Sequence, residues 1–175
     1  MLNRINQVIS ALTAKITRQD ECFVAEQLNV REQKLFWQMN LPDQRHALNV
    51  THTALKLAQT KAGINLTLLI KVSLLHDVGK VRGDVSTFDK IATVIAHKLF
   101  PGWAESWGKL GRGSKVANLR HAFYIYFHHA SRSAVMLQQI GANPLVTKIV
   151  SKHHQAPAES DPPELVILRA ADDMN

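Results

Sequence analysis

Cysteine is nearly absent from this chain, and long apolar runs are missing altogether. Cys22 is the single cysteine among 175 residues. An internal disulfide framework is therefore excluded, and a reducing, cytoplasmic setting fits. Cys22 itself is expected to fill a core position. No apolar run approaches the roughly 20 residues of a membrane-spanning helix. The start, Met1-Leu2-Asn3-Arg4-Ile5, lacks the apolar stretch and cleavage site of a secretory signal. Polar and apolar residues do not alternate convincingly anywhere, so no strand is expected. There are no internal repeats. Yet 46% of the residues are hydrophobic, too many for a chain disordered throughout.

What is present is helical periodicity. Ile5, Val8, Ile9, Leu12 and Ile16 make a stripe of 3-and-4 spacing. Asp20 is placed to cap a second helix reaching about Met39. Pro42 or Asp43 opens a third, with Gly63 placed to end it. Asn65 caps a fourth, rich in leucine, that runs into His76-Asp77. Ser86-Thr87-Phe88-Asp89 resembles a capping box. From Pro101 to Lys115 the pattern breaks. Gly108, Gly111 and Gly113 alternate with Lys109, Arg112 and Lys115, so this stretch is expected to be a basic loop or linker. Trp103 and Trp107, four apart, anchor a short turn within it. Helices are then expected over 116–128, 130–140 and from Asn143-Pro144 to His153-His154. Asp161 is placed to cap a last helix through Asp172-Asp173. The expectation is one all-α domain over 1–175, a bundle of eight or nine helices, with 1–40 forming N-terminal helices.

The chemistry concentrates in polar residues set among apolar ones. His76-Asp77 follows Leu74-Leu75, and burying a histidine and a carboxylate is costly unless something satisfies them. On a helix, Lys80 would share their face, where it could serve as a cation for phosphate or as an ordinary helix C-terminal charge. His46, His128-His129, His153-His154 and Asp172-Asp173 are further ligand-type residues on mainly apolar helices. A bundle builds a metal site from such residues, one or two per helix, all projecting inward. The net charge of +7 suits anionic partners.

The order His46, His76-Asp77, Asp172 resembles the HD-domain superfamily of metal-dependent phosphohydrolases, over about Gln44 to Asp173. Leu75-His76-Asp77-Val78-Gly79-Lys80 resembles the signature of its HDIG branch. His129, with Ala134 and Leu137 following, resembles that branch's next segment, although Ala130 and Ser133 replace its Pro and Gly. His153-His154 resembles its adjacent His pair. The place of a following Gly-Tyr-Pro motif reads Gln155-Ala156-Pro157-Ala158-Glu159, so the ligand set is HD-GYP-like without that motif and the likeness does not extend to cyclic-di-GMP. The chain is most similar to small, stand-alone HDIG proteins of bacteria.

The resemblance implies an HD-type helical bundle and two divalent transition metal ions. Iron or manganese lead, with zinc, nickel or magnesium as further candidates. One ion would take His46, His76, Asp77 and Asp172. The other would take His129, His153 and His154, with Asp77 bridging, although one of the His pair could instead support the other. His128 competes with His129, and Asp173 with Asp172. Asp77 and Lys80 would be catalytic, with a bridging hydroxide as nucleophile. Lys80, Arg45 and Arg132 would meet the substrate, a phosphate ester of a nucleotide or cyclic dinucleotide. Two competing functions are a non-catalytic nucleotide-sensing module and, on charge alone, a nucleic-acid binder.

Overall fold

Ten residues, Leu66–Leu75, form the helix around which five others are arranged. The computed structural model describes residues 15–175. Among them are nine helices and no strand: α1 (Arg18–Gln27), α2 (Val30–Gln38), α3 (Leu41–Ala58), α4 (Leu66–Leu75), α5 (Thr87–Leu99), α6 (Pro101–Trp107), α7 (Lys115–Gln139), α8 (Pro144–Lys152) and α9 (Pro163–Met174). No described helix is long and apolar enough to cross a membrane. The expected stripe from Ile5 to Leu12 lies outside the described residues. Ile16 packs against the core.

α4 is apolar on nearly every side, as a helix enclosed by others must be. It buries Leu68, Leu69, Val72, Leu74 and Leu75 against α3, α8, α9 and the two N-terminal helices. Asn65 caps it as expected, accepting the Leu68 N–H at 3.0 Å. Two carboxylates from other helices tie it down. Glu164 of α9 accepts the Asn65 N–H at 2.8 Å, and Glu32 of α2 holds Lys71 at 2.7 Å. The end of α4, where His76-Asp77 begins, is thus fixed by packing from five elements. Meanwhile α5 and α6 lie on α7, apart from the main core.

Several boundaries differ from the sequence expectation. Thr17, not Asp20, caps α1. Asp20 is the reciprocal partner, its carboxylate accepting the Thr17 N–H at 2.9 Å. The expected single helix to Met39 is two, because Asn29 starts a second cap with Glu32 closing it. α3 ends at Ala58, and Gly63, at φ +75°, serves the loop after it. Residues 101–107 are helical, not loop, which narrows the basic loop to Gly108–Ser114. Trp103 and Trp107 do stack, at 5.3 Å, with both edges on Phe123. The two helices expected around His128-Ala130 are the one 25-residue helix α7. Pro162, not Asp161, precedes α9 as its cap. The Asp161 carboxylate instead accepts the Ala158 N–H and pairs with Arg169. Cys22 is exposed and fills no core position.

Candidate metal centre

The α4 helix stops at Leu75, and His76 is its C-cap. His76 and Asp77 therefore lie in a turn, not on a helix as the sequence suggests. The turn is closed by the Lys80 N–H donating to the Asp77 carbonyl at 2.9 Å. It returns the Lys80 ammonium to within 2.7 Å of Asp77 Oδ2.

Three histidines are set in one tautomer by the same local device. His76, His129 and His153 each direct Nδ1 at the carbonyl three residues earlier, those of Ser73, Tyr126 and Val150, at 2.7–2.8 Å. An N–H donated there leaves Nε2 free as a lone-pair donor, the usual way a ligating histidine is oriented. All three rings are buried.

These nitrogens converge with the remaining expected ligands. His46, from α3, places Nε2 at 2.9 Å from Asp172 Oδ1 of α9. His76 Nε2 is 3.7 Å from the same oxygen. His129 Nε2, from α7, faces His154 Nε2 at 2.8 Å. Two groups of donor atoms, His46/His76/Asp172 and His129/His153/His154, each lie within 4.8 Å of one another. Asp77 stands between them. Its Oδ2 is 3.5 Å from His76 Nε2 and 3.9 Å from His46 Nε2, while its Oδ1 is 3.3 Å from His129 Nε2.

The structure also separates the neighbouring alternatives. His129 is buried toward the site while His128 is exposed. Asp172 is partly buried in the cluster while Asp173 is exposed. The sequence reading placed His153 with one group only. In the fold its donor also lies within 4.8 Å of those of His76 and Asp77, so it touches both halves of the cluster.

Electrostatics divide the cluster. Burial opposes the charge on His76, but Asp77 and Asp172 outweigh it and push its pKa up to about 9. Burial likewise opposes ionisation of Asp77, yet Lys80 foremost, and the surrounding histidines, hold it well below the usual carboxylate range. Asp172 is also held low against its burial, through His46 and His76. On the other side, burial, helped by Lys80, brings His129 down to about 3, and burial also lowers His153 and His154. Those three imidazoles are neutral, the form that ligates a cation. The proton that the carboxylates draw onto His76 stands where a cation would compensate the same charges.

The cluster opens into a cleft of about 930 Å³, within the usual range for small-molecule sites. Lys80 and Arg45 line it. The Arg45 guanidinium, however, is held by both Asp20 carboxylate oxygens at 2.9 and 3.1 Å. Arg132, expected at the site's rim, does not line the cleft and pairs with Asp84. Several lining residues are not among those nominated from the sequence. His97 and Tyr126 share a hydrogen bond of 2.9 Å on one wall. Asn49 is one helical turn from His46 on α3, and that spacing could have revealed it.

Residues 44–174 match the family model described as HD domain. No curated protein and no solved structure matches the chain. A match over most of the chain, on a bundle that gathers histidines and aspartates from five segments into one cleft, places this protein in the HD-domain family of metal-dependent phosphohydrolases.

Proposed function

We propose that this protein hydrolyses a phosphate ester, that of a nucleotide or cyclic dinucleotide, at a centre of two divalent transition metal ions. The observation that carries the proposal is the division of the Asp77 carboxylate. One oxygen faces His76 and His46, and the other faces His129. A carboxylate so placed can be shared between two cations.

The residues fit cations on their own chemistry. His76 Nε2, His153 Nε2 and Asp77 Oδ1 are buried without a hydrogen-bond partner. Each orphaned group of this kind costs about 1–3 kcal/mol. A cation among them removes that cost. His46, His76, Asp77 and Asp172 would hold one ion, and His129, His153 and His154, with Asp77 shared, the other. Imidazole and carboxylate donors without thiolate suit iron, manganese or zinc, and the resemblance puts iron or manganese first, ahead of zinc, nickel or magnesium. Bound ions of this kind supply Lewis acidity toward phosphoryl oxygens and lower the pKa of water.

The chain's own residues do the rest. Asp77 ties the two halves together and orients Lys80. The Lys80 ammonium, pushed up to about 12 by Asp77 against the opposing effect of burial, remains a full charge at the cleft wall. It is placed to donate to phosphoryl oxygens as charge develops on them. Replacing Lys80 with alanine is expected to lower kcat about 10²-fold while metal content stays at the wild-type level. Unchanged kcat would make Lys80 a purely structural partner of Asp77. Tyr126, Phe127 and His97 on the cleft wall support a substrate with a planar group, such as a nucleobase.

The test is elemental analysis followed by phosphatase and phosphodiesterase panels with each candidate metal. About two equivalents of metal and turnover of a nucleotide or cyclic dinucleotide are expected. Tight nucleotide binding without turnover across all metals would make the protein a sensor instead. Absence of metal from protein purified without chelator would remove the metal centre. Metal occupancy at a hundred times Kd stabilises a fold by about 2.7 kcal/mol. Chelation is therefore expected to lower Tm by several degrees, and calorimetry with and without chelator checks this.

A further inference from the structure

The α5–α6 region presents an apolar surface that the function proposed above does not use. Phe88 is 86% exposed, Ile91 52%, Ile95 54% and Leu99 62%. These four lie on one stripe of α5 at spacings of three and four, the face turned away from α7. The opposite face is engaged: Thr93 is buried, Lys90 pairs with Asp43 and His97 bonds Tyr126. Phe100 and Trp103 continue the stripe, and with Ile95 and Leu99 they line a shallow, almost wholly apolar depression. Further along the chain, Leu110 and Val116 are also exposed.

Charge decides what covers this face. Of the six Lys or Arg in residues 86–120, Lys90 pairs with Asp43 on the engaged face, which leaves five cations against two acids, Asp89 and Glu105. Lys98, Lys109, Arg112 and Lys115 are exposed, and none forms an ion pair among the described residues. A second copy of the chain would set two such surpluses against each other, and like charges in contact are unfavourable. Nucleic acid would answer the charge but not the aliphatic stripe. A surface both anionic and apolar answers both. Large aliphatic and aromatic side chains beside unpaired cations are the features of helices that lie in a lipid headgroup layer.

We propose that α5, α6 and the Gly108–Ser114 loop dock this protein onto an anionic lipid bilayer. Phe88, Ile95, Leu99 and Trp103 would enter the headgroup layer, and Lys98 and Lys109 would meet lipid charge.

The full chain is mixed with vesicles of neutral phosphatidylcholine or of phosphatidylcholine carrying one third phosphatidylglycerol, and bound protein is measured by sedimentation. Binding is expected to the anionic vesicles only, and to fall as salt rises. Tryptophan emission should shift to the blue on binding. The double variant Ile95→Glu/Leu99→Glu changes exposed positions, so its circular dichroism should match wild type while its vesicle binding falls at least tenfold. Lys98→Glu/Lys109→Glu should weaken binding to anionic vesicles comparably. No binding to anionic vesicles at low salt overturns the proposal. So does retained binding in the Ile95/Leu99 variant. Two further results also overturn it: a dimer in solution that this variant disperses, which assigns the face to a second copy, and salt-sensitive binding to nucleic acid without binding to vesicles.

Discussion

Asp77→Asn is expected to empty or cripple both metal positions and to lower kcat by about 10³-fold or more. That corresponds to about 4 kcal/mol of transition-state stabilisation. The reason lies in the two directions of its carboxylate. Oδ2 faces His76 and His46, Oδ1 faces His129, and Lys80 leans on Oδ2 at 2.7 Å. His129→Ala is the informative companion. His129 approaches Asp77 and His154 but belongs to neither the His46 nor the Asp172 contact. Its loss should therefore spare the ion held by His46, His76, Asp77 and Asp172, leaving about one equivalent of metal. Asparagine keeps the shape of Asp77, which limits the penalty of leaving Lys80 unpaired in a partly buried position. Elemental analysis of the two variants, with circular dichroism as the check on folding, distinguishes the outcomes. Two ions retained in Asp77→Asn would refute the shared-carboxylate assignment.

The second large effect is expected at a residue that ligates nothing. Gly79 lies where the His76-Asp77 turn meets the backbone of α7. A Cβ there would stand 2.5 Å from the His129 carbonyl oxygen and 2.9 Å from both the nitrogen and the hydroxyl of Ser133. Two of these atoms are backbone in the middle of a long helix and cannot swing aside. The Gly79 N–H also donates to the Ser133 hydroxyl at 2.8 Å, a bond that any displacement breaks. Overpacking of this kind costs about 1–3 kcal/mol or more. Tm is then expected to fall by several degrees for a domain of this size. The consequence for the site is larger. Relief of the clash moves α7 away from the turn, and with it His129 away from Asp77, so activity should fall further than stability alone explains. Gly102→Ala is the control. Nothing lies within 4 Å of its added methyl, and its helical position favours alanine, so Tm should be unchanged or slightly raised. Equal Tm and activity for Gly79→Ala and wild type would show that the close approach can relax without cost.

The same contact gives Ser133 a structural role. Its buried hydroxyl makes a specific bond to the turn that a glycine could not make, while Gly79 opposite supplies the space. One small residue on each side of the contact is enough to bring α7 to the His-Asp turn. Neither residue alone signals this, because the pair is 54 positions apart.

Much of the architecture could be read from one-dimensional features. The caps at Asn65, Ser86 and Asn143 are legible because a short polar side chain before an apolar period satisfies the first free N–H groups locally. Errors arose where two local signals competed. Asp20 has cap chemistry but acts as the reciprocal partner of Thr17. Residues 101–107 look like linker because of their glycine and proline, yet Trp103 and Trp107 stack and settle on Phe123, which outweighs weak helix propensity. The apparent break at His128-Ala130 is no break, since nothing in that segment interrupts the hydrogen bonding of α7.

For the candidate metal centre, residue type marks the ligand-type histidines and aspartates, and the resemblance of their order to HD domains nominates His46, His76, Asp77, His129, His153, His154 and Asp172. Histidines and aspartates among apolar neighbours are costly unless gathered, and helical spacing says which face each one takes. Spacing does not say what lies opposite that face. The burial of His129 with exposure of His128, the inward side of Asp172 against Asp173, and the reach of His153 into both groups all follow from how distant elements pack together around the His76-Asp77 turn. So does the engagement of Arg45 by Asp20 and of Arg132 by Asp84. Each of those guanidinium groups reads as free along the chain. Packing decides otherwise, because an ion pair depends on where a distant carboxylate arrives, and that is set by contacts between elements and not by any local pattern.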